Sequence, residues 1–328
     1  MRKPKPAKAK VVLGNCTICG RQAINSRSYE GRSLCRKHFM ESVEKNARRY
    51  AGRHRMIESG DHIGVALSGG KDSAVTLHLM NGIIGKRTDV KLCAISIDEG
   101  IKGSRDLALK KAAQLCRKLK VNHRVFSFRK EFGMTLDAKL RQQMTGRGGG
   151  RPAGGEGACG FCGIARRWVL NKKARELGVT KLALGMNLND EAESIMMNYV
   201  RGDMLRTSRL GPVTNYSVGK GASKLFIPRV KPLRMIPENE IELYAELAKL
   251  PFHPKGCRYR GGIRVDVEKS LDMLEGRYPG TMFTIVNTFD RILPGIRAAV
   301  KPEGNIVRCR KCGEPASKNI CKCCELWK

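Results

Sequence analysis

The chain has 328 residues, enough for a full α/β core with small satellite modules. Its 63 Lys and Arg against 30 Asp and Glu give a formal net charge of +33, which points to a polyanionic partner, nucleic acid first. No stretch approaches the roughly 18 apolar residues that span a bilayer, and the thirteen cysteines, odd in number and mostly spaced Cys-x-x-Cys behind no secretory signal, argue for metal in a reducing, cytoplasmic compartment rather than for disulfides.

In chain order, residues 1–10 read as a basic, disordered arm. Residues 11–45 form an N-terminal module in which Cys16, Cys19, Cys35 and His38 have the spacing of a structural zinc site. A helix over residues 39–57 leads into a catalytic domain assigned to residues 46–300. There, residues 63–67 predict a short apolar strand that runs into Ser68-Gly-Gly-Lys-Asp-Ser73, with a helix over residues 74–80 behind it. The alternation continues with a strand at 91–97, an amphipathic helix at 104–119 and a strand at 122–128. Such alternation predicts an α/β fold with a doubly wound parallel sheet.

Residues 145–158 hold too much glycine to pack and are expected to form a mobile loop. Cys159-Gly-Phe-Cys162 follows, then a helix at 163–177, a strand at 181–184, a helix at 189–200 and another opened by Pro237. Residues 301–328 form a C-terminal zinc ribbon on Cys309, Cys312, Cys321 and Cys324. Cys323 competes for the last place, but Cys324 restores the two-residue gap. Cys93 and Cys116 fall in a strand and a helix and read as core.

A strand, a glycine turn and a helix place backbone N–H groups and a helix N-terminus against an anion, so phosphate is the natural guest of residues 68–73. The loop is not a Walker A motif, which needs Gly where Val65 stands and Ser or Thr where Asp72 stands. It resembles the PP-loop of the ATP pyrophosphatases, α-hydrolase-like adenine-nucleotide enzymes that adenylate a substrate and release pyrophosphate. Cys159 and Cys162 lie at a predicted helix start, a position that favours the thiolate. Cys257 follows the break at Pro254 and is flanked by basic residues.

Together the two zinc-type modules, the SGGKDS loop, Ile97-Asp-Glu-Gly100, Cys159-Gly-Phe-Cys162-Gly and Arg201-Gly-Asp203 resemble the TtuA/NcsA/TtcA family of tRNA thiolases over nearly the whole chain. The resemblance implies a [4Fe–4S] cluster on Cys159, Cys162 and Cys257 that leaves one iron open for sulfide, or, in an older reading, a disulfide or persulfide pair. It implies ATP contacts at Ala66, Leu67, Ser68, Asp72, Ile97, Arg166 and Gly185, with Gly69, Gly70, Lys71 and Ser73 completing the loop. Asp190 would lie near the reacting groups and Mg2+ would bridge the phosphates. Cys159, Cys257, Asp190 and Lys71 are the catalytic candidates. The segment Gly185-Met-Asn-Leu-Asn-Asp-Glu191 departs from the family's Gly-His-Asn-Leu-Asp-Asp-Glu at Met186 and Asn189, whereas Asn187 and Asp190 match. Asp190 is also placed to cap the next helix.

The implied reaction is adenylation of a tRNA uridine at O2 followed by sulfur transfer to C2, giving 2-thiouridine. A ubiquitin-like thiocarboxylate protein as sulfur carrier and a homodimer are implied partners. The rival readings are a PP-loop tRNA ligase without sulfur chemistry, thiolation of a cytidine, and a non-catalytic zinc-ribbon RNA-binding protein. Any one basic pair, such as Arg48-Arg49, Arg166-Arg167 or Lys172-Lys173, reads as a solvated helix face, but their abundance favours phosphate-backbone contact. Aromatics at 5% are too few for a single-strand stacking platform, so a folded RNA read by shape is expected.

Overall fold

A computed structural model describes residues 14–85, 87–145, 157–214, 225–254, 256–300 and 306–327. The basic arm at 1–10 and most of the glycine-rich loop at 145–158 lie outside them. The first elements are a hairpin of β1 (Asn25–Arg27) and β2 (Arg32–Leu34), followed by α1 (Arg36–Arg53). Phe39, Val43, Ala47 and Ala51 recur every fourth residue along α1, so one stripe of the helix is apolar and buried. That stripe joins Cys16, Leu34 and Cys35 to the same apolar cluster as Ile63 and Val65. The N-terminal module is therefore fused to the main core.

β3 (His62–Ala66) is followed by α2 (Lys71–Ile84), β4 (Lys91–Asp98), α3 (Arg105–Leu119) and β5 (Asn122–Ser127). The short α4 (Phe128–Phe132) and α5 (Leu136–Thr145) come next, then α6 (Ala158–Glu176), β6 (Lys181–Ala183) and α7 (Leu188–Val200). β3 and β4 are apolar on successive residues and buried on both faces, as strands inside a covered parallel sheet must be. α6 begins five residues before the expected position, with Gly157 extended as its N-cap. Both cysteines of the Cys-x-x-Cys pair are thus inside the helix.

α8 (Met204–Ser208), β7 (Val213–Thr214), β8 (Arg229–Val230) and α9 (Glu238–Leu247) complete the sheet region. The strand order is β5-β4-β3-β6-β8-β7, parallel throughout except where β7 runs antiparallel to β8 at the edge. The doubly wound α/β expectation holds, with an antiparallel edge strand added. α10 (Ile263–Arg277) and α11 (Thr281–Ala299) pack on α7 and α8 around Leu188, Ile195, Leu271, Val286 and Phe289.

Buried charges pin these layers. Arg27 and Glu240 meet at 2.6 Å, both almost fully buried, and clamp the N-terminal hairpin to α9. Glu191 meets Lys231 at 2.6 Å and Arg234 at 2.7 Å, and Arg234 reaches Asp290 of α11 at 2.6 Å. Removing one partner from such a set leaves an uncompensated buried charge, which costs about 3–5 kcal/mol.

The C-terminal module consists of β9 (Val307–Arg308), β10 (Pro315–Ala316) and α12 (Lys322–Trp327). It docks through Trp327, whose ring lies 5.0 Å from Phe128 and 4.9 Å from Phe132, while Phe132 also meets Trp168 of α6 at 5.3 Å. The Trp327 indole N–H donates to the carbonyl of Phe161 at 3.2 Å. Among the described residues, no helix is long and apolar enough to cross a membrane.

Candidate active site: a nucleotide loop beside three cysteines

The Ser68–Ser73 loop turns between the carboxyl end of β3 and the start of α2. Gly70 caps α2 in an extended conformation with no side chain bonded to the first-turn N–H groups, which leaves them for an anion. Gly69 has φ +86°, and a Cβ there would stand 2.2 Å from the carbonyl oxygen of Ala108. At Gly185, after β6, a Cβ would fall 2.8 Å from the Asp72 backbone. No larger residue fits either place, so α3 and the β6–α7 turn close on the loop from two sides.

Hydroxyls brace the loop internally. Ser68 N–H donates to Ser73 Oγ at 3.1 Å, and the two hydroxyls lie 3.0 Å apart. Arg105, buried in the first turn of α3, donates to the Ser68 carbonyl at 2.7 Å and to the Ile97 carbonyl, and it pairs with Glu99 at 2.8 Å. Leu67 N–H donates to Ile95 at 2.8 Å, so Ala66, Leu67 and Ile97 lie together at the carboxyl edge of the sheet.

Lys71 pairs with Asp72 at 3.3 Å and with Glu238 at the start of α9. Burial opposes its charge, but the two carboxylates outweigh it and raise its pKa. Asn187 donates from Nδ2 to Asp72 at 3.0 Å and accepts the Asp190 N–H at 2.9 Å, while Asp190 accepts the Asn187 N–H at 3.3 Å. This reciprocal pair is a capping box, so Asp190 does cap α7. Burial first and the neighbouring Asp72 charge second push its pKa up to about 6, against Arg264 at 3.6 Å. A carboxylate poised there can hold or accept a proton near neutral pH. Asn189, where the family pattern has Asp, accepts the Glu238 N–H at 3.0 Å and so helps place the carboxylate that faces Lys71.

Cys159 and Cys162 lie in the opening turns of α6, and Cys257 lies on the exposed segment that leads to α10. Cys159 donates from Sγ to the carbonyl of Tyr259 at 3.3 Å, which brings the Cys257 segment against the helix end. Burial pushes the Cys162 thiol up to about 11, with Arg166 opposing and the charges of Glu99, Cys257 and Cys159 adding to the rise. This corrects the expectation of a favoured thiolate at the helix start: for Cys162, desolvation wins over the helix end. All three sulfurs, with Glu99, favour the Arg166 cation against its desolvation, and Arg166 lies 3.8 Å from Glu99.

The terminal sets differ. Sγ of Cys16, Cys19 and Cys35 with a ring nitrogen of His38 all lie within 4.8 Å of one another, as do the sulfurs of Cys309, Cys312, Cys321 and Cys324. Cys324, not Cys323, completes the second set. Burial opposes ionisation of Cys16, yet backbone N–H groups at Cys35 and Ile18, with His38, bring its pKa down to about 5. Both sets offer one ion four converging donors. Cys159, Cys162 and Cys257 form no such cage. A cubane spreads its thiolates over different irons, so ligands of a cluster stand farther apart than those of one ion. Three thiols beside one arginine fit that donor set.

Sequence reasoning missed Arg105, Glu238 and Arg264. Arg105 had the look of an ordinary helix-surface charge, and only its burial reveals its grip on the nucleotide loop. Glu238 carried no signal beyond its place after Pro237.

A parallel sheet with this loop at its carboxyl edge defines a PP-loop nucleotide-using protein, and the PP-loop domain family matches residues 36–147. The family described as 2-thiouridine synthetase TtuA, N-terminal LIM domain, matches residues 15–40. The chain is 34% identical over 308 residues to a probable sulfurtransferase of Methanocaldococcus jannaschii, covering 93% of this chain and 85% of that one. It is 32% identical to the tRNA 2-thiolation protein NcsA of Haloferax volcanii, covering 95% and 97%. It is 31% identical to the cytoplasmic tRNA 2-thiolation protein 1 of Xenopus laevis, covering 95% and 86%. Among solved structures, the U34-tRNA thiolase NcsA from Methanococcus maripaludis with its [4Fe–4S] cluster superposes with a TM-score of 0.78 at 29% identity, covering 96% of each chain. The chain belongs to the tRNA 2-thiolation family.

Proposed function

We propose that the protein is an ATP-dependent tRNA 2-thiolase acting on a uridine, with U34, the position named for its structural relative, as the target. One contact carries this reading: the His253 N–H donates to the Gly69 carbonyl at 2.8 Å. The segment bearing Cys257 hangs from the nucleotide loop itself, so the phosphate site and the thiol site form one cleft.

In that cleft the first turn of α2 and Lys71 receive the phosphates of ATP, whose charge Mg2+ would help to neutralise, and Ala66, Leu67, Ile97 and Gly185 shape the nucleotide's bed. Uracil O2 attacks the α-phosphorus and pyrophosphate leaves, which turns an inert carbonyl oxygen into a leaving group. Asp190 stands where it can take a proton, and Arg166 offers positive charge to the developing anion. Bound by Cys159, Cys162 and Cys257, a [4Fe–4S] cluster would supply sulfide. Attack of sulfide at C2 breaks the C–O bond and releases AMP. The basic surface holds the tRNA backbone.

The terminal donor sets hold one zinc ion each. The division at 11–45, 46–300 and 301–328 marks two zinc modules flanking the catalytic domain. Sulfur arrives on a thiocarboxylate carrier protein. Tyr199, Val200, Met204 and Leu205, all exposed, offer an apolar surface to a second copy of the chain.

The test uses anaerobically purified protein with ATP, sulfide and tRNA, followed by mass spectrometry of the nucleosides. 2-Thiouridine should form with one AMP per thiolated base, and Lys71→Ala or Asp72→Ala should abolish AMP release while leaving the iron content intact. Normal AMP release by both variants, or thiocytidine as the product, would overturn the reading.

A further inference from the structure

We propose that Asp137 is a positioning residue that holds Cys257 in register with Cys159 and Cys162, an inference that rests on the three-cysteine reading above. Asp137 sits in the first turn of α5 and is only 3% exposed. A buried carboxylate needs donors, and two of its three come from the residues that directly follow Cys257. Arg258 Nη2 donates to Oδ2 at 2.6 Å and the Tyr259 hydroxyl donates to Oδ1 at 2.8 Å, while the Lys102 N–H completes the set at 3.1 Å. The Arg258 guanidinium lies 4.8 Å from the Tyr259 ring centroid, so the two side chains stack as they converge on one carboxylate.

The consequence is geometric. Tyr259, held by its hydroxyl, presents its carbonyl to the Cys159 thiol at 3.3 Å. The other end of the segment is fixed by the His253 N–H on Gly69. Between those ties Gly256, Cys257 and Arg258 are exposed and contribute nothing to the three apolar clusters. Cys257 is therefore located by these ties, together with the Arg260 N–H that donates to its carbonyl at 3.1 Å, and not by packing. With the Asp137 tether cut, the third thiol would be presented over a wide range of positions, and a ligand set that depends on preorganisation would lose its advantage.

The experiment compares full-length, anaerobically reconstituted protein with Asp137→Ala, Asp137→Asn, Cys257→Ser and the double variant Arg258→Gln, Tyr259→Phe. The readouts are iron release to a ferrous chelator, the electron paramagnetic resonance spectrum of the reduced protein, ATP affinity and melting temperature. Asp137→Ala should release iron about tenfold faster, the scale of one charge-assisted hydrogen bond, and should alter the spectrum while ATP affinity stays unchanged. Asp137→Asn keeps an oxygen for Tyr259 and should fall between. The double variant removes the same two contacts from the solvent side, so it decides the matter if Asp137→Ala fails to fold. Parental iron release from the double variant, alongside rapid loss from Cys257→Ser, overturns the role of Asp137. Parental release from Cys257→Ser overturns instead the three-cysteine reading on which the proposal rests.

Discussion

The terminal donor sets and the Cys159, Cys162 and Cys257 set use the same side chain for opposite ends. In the first, four donors converge within 4.8 Å, brought together by short turns in the chain, with Cys16, Cys35, Cys309, Cys321 and Cys324 buried. In the second, two thiols ride on a helix and the third on an exposed strap tied down at His253 and at Arg258 and Tyr259. Closed sets bring their own folding energy from the metal. The open set borrows its geometry from the rest of the protein.

The largest effect that tests this contrast comes from Cys312→Ser or Cys321→Ser. Zinc should fall from two ions to one per chain, α12 should undock, and tRNA binding should weaken; unchanged zinc stoichiometry would break the comparison at once. Next, Cys159→Ser or Cys162→Ser should abolish iron retention and thiolation yet move the melting temperature by no more than about 2 °C, roughly 1 kcal/mol in a domain of this size. A drop as deep as that of the zinc variants would make the open set structural too.

The smallest effect concerns Asp190. Its folded pKa is raised to about 6 from the ordinary 3.8, so the fold favours the protonated form. That contribution is fully present below pH 4 and is lost as the pH rises through about 6. Asp190→Asn, which keeps an oxygen for the capping box, should therefore raise the melting temperature of the nucleotide-free protein at pH 8 by about 2–4 °C and change little near pH 4. A parental protein more stable than the variant at pH 8 would show that Asp190 is not strained.

What the sequence made legible was what is local. The apolar runs of β3 and β4 and the glycines between β3 and α2 announce the sheet and its loop within a few residues, and each closed donor set is spelled out by its own spacing. What stayed hidden joins distant residues. Arg27 and Glu240 lie 213 residues apart, and nothing in either neighbourhood signals that the N-terminal hairpin belongs to the main core. The two-residue strands β7 and β8 are too short to show a period. The break at Pro254 and the basic flanks singled out Cys257, but only the family resemblance joined it to Cys159 and Cys162, because its neighbours in the chain carry no metal spacing. The pKa of Cys162 could not be foreseen either, since it depends on how deeply its side chain is buried.

The docking of the C-terminal module has an optical consequence. The chain has two tryptophans, Trp168 and Trp327, and both touch Phe132 beside the helix that carries Cys159 and Cys162. Their fluorescence therefore originates at one spot, next to the thiols and under the C-terminal module. Undocking of α12 exposes Trp327 to water and shifts the emission to the red, whereas a chromophore at the thiols, absorbing in the visible, quenches it by energy transfer. A single excitation wavelength would thus report on both the C-terminal donor set and the three thiols without any attached label.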